Sequence, residues 1–118
     1  MVLTSLPGES HGLGLQMAAL LLAVAGCRIL FLGTEVPIAQ VATLTKDMDA
    51  RAVAVSVSLA TRGKSTTAQL NRLRSLLPRR ITLLVGGQGA PRPRPGLEIM
   101  QELGALEAWG RQLVADGS

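Results

Sequence analysis

Tyrosine is absent from this chain of 118 residues, and tryptophan and phenylalanine occur once each, so aromatic residues make up only 2%. Proteins that grip single strands of nucleic acid stack the bases on aromatic rings, and the chain offers no such platform. No helix-turn-helix or zinc pattern is visible either. The formal charge is +4, with Arg72, Arg74, Arg79, Arg80, Arg92 and Arg94 in the second half. These arginines read as solvated cations on helix ends and loops, with no direct nucleic-acid site evident. Cysteine occurs once, which rules out an internal disulfide and points to a reducing, cytoplasmic setting. Cys27 follows Gly26 and reads as a small core residue opening a strand.

Long apolar runs are missing too. Residues 17–27 are uniformly apolar apart from a glycine, but 11 residues cannot span a bilayer. Ala23-Val24-Ala25 imitates a signal-peptidase site, yet no Lys or Arg precedes it, as a secretory signal requires. The run is therefore a buried helix, and no membrane partner is expected.

Several ligand fingerprints also fail for want of one residue. Gly63-Lys64-Ser65 has the tail of a phosphate loop, but Ser58 stands where its first glycine belongs. The acidic magnesium partner expected at a neighbouring strand end is missing, because the fourth strand runs into Gly86. No Asp ends the third strand, which excludes a receiver-type phospho-acceptor. Gly12-Leu13-Gly14 is followed by Met17 where a dinucleotide site needs its third glycine.

What is present is 47% apolar and 17% charged, the balance of a globular protein, at a length that makes one domain over residues 1–118. Short β-branched or apolar runs alternate with segments of helical length, the signature of a parallel sheet with crossover helices. Strands are expected at 2–6, 28–32, 52–58 and 81–85, with a weak fifth near 105–107. Helices are expected at 13–25, 37–48, 65–77, about 97–103, and 108–114. Gly26 closes the first helix and Pro37 starts the second. Pro91-Arg92-Pro93-Arg94-Pro95 reads as a stiff extended loop.

Ligands in open α/β sheets bind beyond the carboxyl ends of the strands. The only histidine, His11, lies in the first such turn, within Glu9-Ser10-His11-Gly12-Leu13-Gly14. A carboxylate two residues before an imidazole suggests a metal ligand and the group that orients it. The remaining strand ends carry Gly33-Thr34-Glu35-Val36-Pro37, Ser56-Val57-Ser58 and Gly86-Gly87-Gln88-Gly89. Small residues there let the backbone approach a large flat ligand.

These residues resemble the cobalamin-binding domains of the flavodoxin-like kind. That pattern is an acidic residue, x, His, x, x, Gly, then Ser-x-Leu, then Gly-Gly. Here it reads Glu9-x-His11-x-x-Gly14, Ser56-Val57-Ser58 and Gly86-Gly87, with Glu9 where many members have Asp and Ser58 where the pattern prefers Leu. The chain is most similar to the light-sensing, adenosylcobalamin-dependent repressors of the MerR type. Those share a Pro-Gly-Glu-x-His run, a turn like Leu32-Gly33-Thr34-Glu35-Val36-Pro37, and a run like Gly86-Gly87-Gln88-Gly89-Ala90.

The resemblance implies a flavodoxin-like (Rossmann-like) three-layer α/β sandwich with a five-stranded parallel sheet. It implies cobalamin held base-off with His11 as the lower axial ligand of cobalt and Glu9 as the hydrogen-bond partner of His11. Gly14 would let the first helix sit back from the displaced nucleotide tail, Ser56 would face its base or ribose, and Gly86 and Gly87 would line its slot. Ser10, Gly12 and Ser58 complete the implied site. Adenosylcobalamin is the expected form rather than methylcobalamin. The implied role is non-enzymatic: a sensory, light-responsive module of a transcriptional regulator, with the corrinoid-carrying domain of a methyltransferase or mutase as the alternative. Family members usually precede this domain with a helical bundle over the upper corrin face. The chain starts almost directly on its first strand, so a fragment, or a small protein completed by another chain, is expected. A helical cap, a DNA-binding domain and further copies of the chain are the implied partners.

Overall fold

A computed structural model describes residues 1–5, 13–33, 36–57 and 64–116. In chain order the elements are β1 (Val2–Ser5), α1 (Leu13–Val24), β2 (Leu30–Gly33), α2 (Ile38–Asp47), β3 (Ala52–Ser56), α3 (Lys64–Leu76), β4 (Thr82–Gly86), β5 (Glu98–Ile99) and α4 (Leu103–Ala115). The strands form one parallel sheet in the order β2-β1-β3-β4-β5. That order is the flavodoxin-like doubly wound one, with helices on both faces.

The three central strands are uncharged and mainly apolar because both of their faces are buried, their polar members being the hydroxyl residues Thr4, Ser5, Ser56 and Thr82. Alternation divides their side chains between two layers. Val2, Val53, Val55, Leu83 and Val85 pack with α2 and α3, whereas Leu3, Ala54 and Leu84 pack with Leu15 and Leu22 of α1 and Leu106 of α4. Each fully buried leucine contributes about 1.5–3 kcal/mol relative to exposure, so these two layers hold the sheet.

Helix α1 has no charged residue, and exposed Gln16 is its one polar side chain. Leu15 and Leu22 are buried, while Met17, Leu20 and Val24 are exposed. Among the described residues, no helix is long and apolar enough to cross a membrane.

Seven elements, β1 to β4, start and end within two residues of the sequence expectation. The last third differs. The fifth strand is not at 105–107, and no helix spans 97–103. Instead the chain reverses where Leu97 N–H donates to the Arg94 carbonyl (3.1 Å), and Glu98 and Ile99 pair with Leu84 and Val85. One continuous helix then covers residues expected as a strand and a separate helix. Leu103, Leu106, Gly110 and Leu113 recur at helical spacing along it, with Leu106 and Gly110 buried.

Gly110 is there for closeness. A Cβ on it would lie 2.8 Å from Leu22 Cδ2 and 3.3 Å from Cys27 Sγ. Cys27 is half-buried rather than fully in the core and donates to the Gly110 carbonyl (3.5 Å), and burial pushes its thiol pKa up. Gly110→Val therefore overpacks the α1–α4 contact. Destabilisation of about 1–3 kcal/mol is expected in urea unfolding, and an unchanged midpoint would refute this account.

Candidate functional site

A cleft of about 220 Å³ opens at the carboxyl ends of β3 and β4. Its floor is Ala54 and Leu84. Leu15 and Ala18 of α1 form one wall, and Leu103 and Leu106 of α4, with Met100, form the other. Ser56, Gly86, Gly87 and Gln88 stand at its mouth. The space exists because of a row of small residues. Ser5 is in register with Ser56, and Ser56 with Gly86. All three follow by two positions the residues Leu3, Ala54 and Leu84, which face α1 and α4, so they face the same layer.

The backbone around the mouth is tied tightly. Val57 N–H donates to the Gly86 carbonyl (2.9 Å), and Gly89 N–H donates back to the Val57 carbonyl (2.9 Å). Gly87 has φ +92°, and a Cβ there would overlap the Val57 carbonyl oxygen. On Gly86 a Cβ would lie 2.8 Å from the Met100 carbonyl oxygen. Gln101 Nε2 donates to the Gly87 carbonyl (3.2 Å), so the start of α4 is tied to the mouth.

One polar atom in this row stands out. Ser5 Oγ is buried with no hydrogen-bond partner among the described residues, whereas Thr4 Oγ1, facing the other layer, reaches the Gly33 carbonyl at 3.2 Å. A buried hydroxyl without a partner forfeits about 1–3 kcal/mol, so it is a donor in want of an acceptor beside the cleft.

The structure brings together three of the residues expected at the site, Ser56, Gly86 and Gly87. Gly14 is in the first turn of α1, the helix whose Leu15 and Ala18 wall the cleft. Glu9, Ser10, His11, Gly12 and Ser58 lie outside the described residues. Sequence reasoning missed Ser5, although a hydroxyl ending an apolar strand opposite Ser56 was a readable signal. It also misses Met100 and Gln101, which follow a strand expected later in the chain, and Leu106, which lies on α4 where that strand is expected.

A family described as the B12 binding domain matches residues 1–102, and the chain belongs to it. It is a cobalamin-binding domain. The chain is similar in fold to the methanol:cobalamin methyltransferase complex of Methanosarcina barkeri, with 16% identity, 99% of this chain and 46% of that one covered, and a TM-score of 0.79. A cobalamin-binding protein from Desulfitobacterium hafniense gives 15%, 93%, 56% and 0.73 in the same order. The monomethylamine corrinoid protein of Methanosarcina barkeri gives 15%, 95%, 57% and 0.72. The chain thus spans about half the length of these proteins. No curated protein matches it.

The described residues fit such a cofactor. A narrow apolar cleft between sheet and helices suits a flat heteroaromatic base, and side chains at 86 and 87 would close its mouth. The unpartnered Ser5 hydroxyl lies on the same face.

Proposed function

We propose that the chain holds cobalamin base-off, with its nucleotide tail in the cleft and His11 as the lower ligand of cobalt. The observation that carries this reading is the in-register row Ser5, Ser56, Gly86 over an apolar floor, at the edge of the sheet next to which Glu9 and His11 fall in sequence. Neutral imidazole is a good donor to a metal, and its second nitrogen needs an acceptor to fix tautomer and orientation. Glu9 supplies that acceptor and increases the basicity of the ring. Gly14 keeps the start of α1 free of a side chain, and Ser10, Gly12 and Ser58 border the cofactor. When bound, the cofactor supplies a cobalt–carbon bond; the chain supplies binding, orientation and ligand tuning.

The module acts in a regulator rather than as a catalyst, senses adenosylcobalamin and light, and works in the cytoplasm with a helical cap, a DNA-binding domain and further copies of itself. Support comes from the Pro7-Gly8-Glu9-Ser10-His11 and Gly86-Gly87-Gln88-Gly89-Ala90 runs. A second reading, a corrinoid carrier serving a methyltransferase or mutase domain, is favoured by the likeness in fold to the methanol:cobalamin methyltransferase complex.

Incubation with adenosylcobalamin in the dark, removal of unbound cofactor and a visible spectrum test the shared part. Retained corrin absorption is expected, and its absence overturns cobalamin binding altogether. Illumination then separates the readings. A changed spectrum together with a changed elution volume supports the light-responsive regulator, while an unchanged elution volume supports the carrier.

A further inference from the structure

Charge is segregated along this chain. Residues 51–97 contain nine Lys or Arg and no Asp or Glu, whereas the rest contains three Lys or Arg and eight Asp or Glu, so +9 is set against −5. Folding concentrates much of the positive part at one place. The end of α3, the turn into β4 and the loop before β5 meet at the amino edge of the sheet, opposite the cleft. There Arg74, Arg79 and Arg94, with Asn71 and Ser75, line an open concavity of about 520 Å³. Exposed Arg72 and Arg80 flank it.

Arg74 and Arg94 are held in place by neutral oxygen acceptors rather than by carboxylates. Arg74 donates to the carbonyls of Gly96 (3.2 Å), Leu77 (3.4 Å) and Pro78 (2.8 Å), and its Nε is buried with no partner among the described residues. Arg94 donates to Asn71 Oδ1. The turn at Gly96 lies against both Arg74 and Arg79, since a Cβ there would come within 3.1 Å of Arg79 Nη1 and 3.2 Å of Arg74 Cδ. Burial, and after it the nearby Arg79, lowers the pKa of Arg74, and exposed Glu98 is the acidic residue that shares a lining with Arg74 and Arg79. The ion pairs among the described residues are Arg80 with Asp49 and Arg111 with Glu107. Pro78, Pro91, Pro93 and Pro95 stiffen the segments that carry the cations, so little order need be gained on binding.

We propose that this edge binds the phosphate backbone of duplex nucleic acid without reading its sequence. Arginines spread over three segments around an open surface match a row of phosphates better than one enclosed anion. Single strands need aromatic stacking, and the chain's two aromatic residues, Phe31 and Trp109, lie on β2 and α4. A protein partner needs an apolar interface centre, and Leu76 is the one large apolar side chain exposed between α3 and β5 among the described residues. The edge is independent of the cofactor reading, because it lies across the sheet from the cleft.

Fluorescence anisotropy of a labelled mixed-sequence duplex of about 20 base pairs, titrated with the full chain at about 50–200 mM salt, tests this. Wild type is expected to bind with an affinity that falls steeply with salt. Arg79→Gln/Arg94→Gln should bind about tenfold more weakly at the lowest salt, with the log–log slope reduced by about 0.9 for each phosphate no longer neutralised. Arg79→Lys/Arg94→Lys should restore most of the binding, which also shows that the edge still folds. Lys64→Gln/Arg111→Gln removes the same formal charge from the start of α3 and from α4, away from this concavity, and should bind as wild type does. Equal weakening in both glutamine pairs, no duplex binding at the lowest salt, or displacement of the duplex by a poly-glutamate peptide as readily as by unlabelled duplex would each overturn the proposal.

Discussion

Gly87→Ala yields a protein that is about 3 kcal/mol less stable and retains no cobalamin through desalting. Two effects add. A side chain at φ +92° costs about 1 kcal/mol or more. Overlap of the new Cβ with the Val57 carbonyl adds about 1–3 kcal/mol, because the obstacle is backbone and cannot swing aside. Against a typical total of about 5–15 kcal/mol the effect is large, and relief requires parting Val57 from the Gly89 N–H it accepts. That movement deforms the mouth of the cleft. Gly104→Ala is the control: nothing lies within 4 Å of its added carbon, and the site is an exposed helical position. It should be neutral or stabilising by up to about 1 kcal/mol. Urea midpoints for both variants decide the matter, and a Gly87→Ala midpoint equal to that of Gly104→Ala would end this account of the turn.

His11→Ala should weaken hydroxocobalamin binding by about 100-fold or more and shift the visible spectrum of whatever remains bound, with added free imidazole restoring the wild-type bands. Removing a direct metal ligand should exceed the effect of removing an orienting group, which is about 10–100-fold. Glu9→Gln is expected to fall in that lower range while keeping the nitrogen-ligated spectrum. Difference spectra over a cofactor titration read both quantities. Identical spectra for wild type and His11→Ala would remove the imidazole from beneath the cobalt, yet leave the tail cleft and its glycines untouched.

The layers and the first four strands are legible because β1, β3 and β4 are uncharged and mainly apolar, as a doubly covered sheet requires, and alternate with segments of helical length. Ser56, Gly86 and Gly87 were legible for a related reason: small residues at strand ends report on what must pass over them. β5 was hidden because two residues are too few to establish a period, and its pairing with Leu84 and Val85 is tertiary information. The continuity of α4 is obscured by the short apolar stretch at 105–107, expected as a strand, whereas Gly110 lies within the expected helix and serves contact with α1. Ser5 is hard to single out because the apolar Leu6 after it makes the strand read as continuing past it, when β1 ends at Ser5. The arginines looked like scattered solvated charges along the sequence; only the fold sets Arg94 against Asn71 and Gly96 against Arg74 and Arg79.

The two rims of the sheet are unequally guarded. At one, β5 is only two residues long and presents exposed Glu98, both of which discourage a neighbouring chain from docking edge to edge. At the other, β2 reads Leu30-Phe31-Leu32-Gly33 without a charge, and Phe31 is 42% exposed. Crowded or heated solutions should therefore lose monomer by intermolecular strand pairing through β2, and a lysine in place of Phe31 is the substitution that would slow such aggregation.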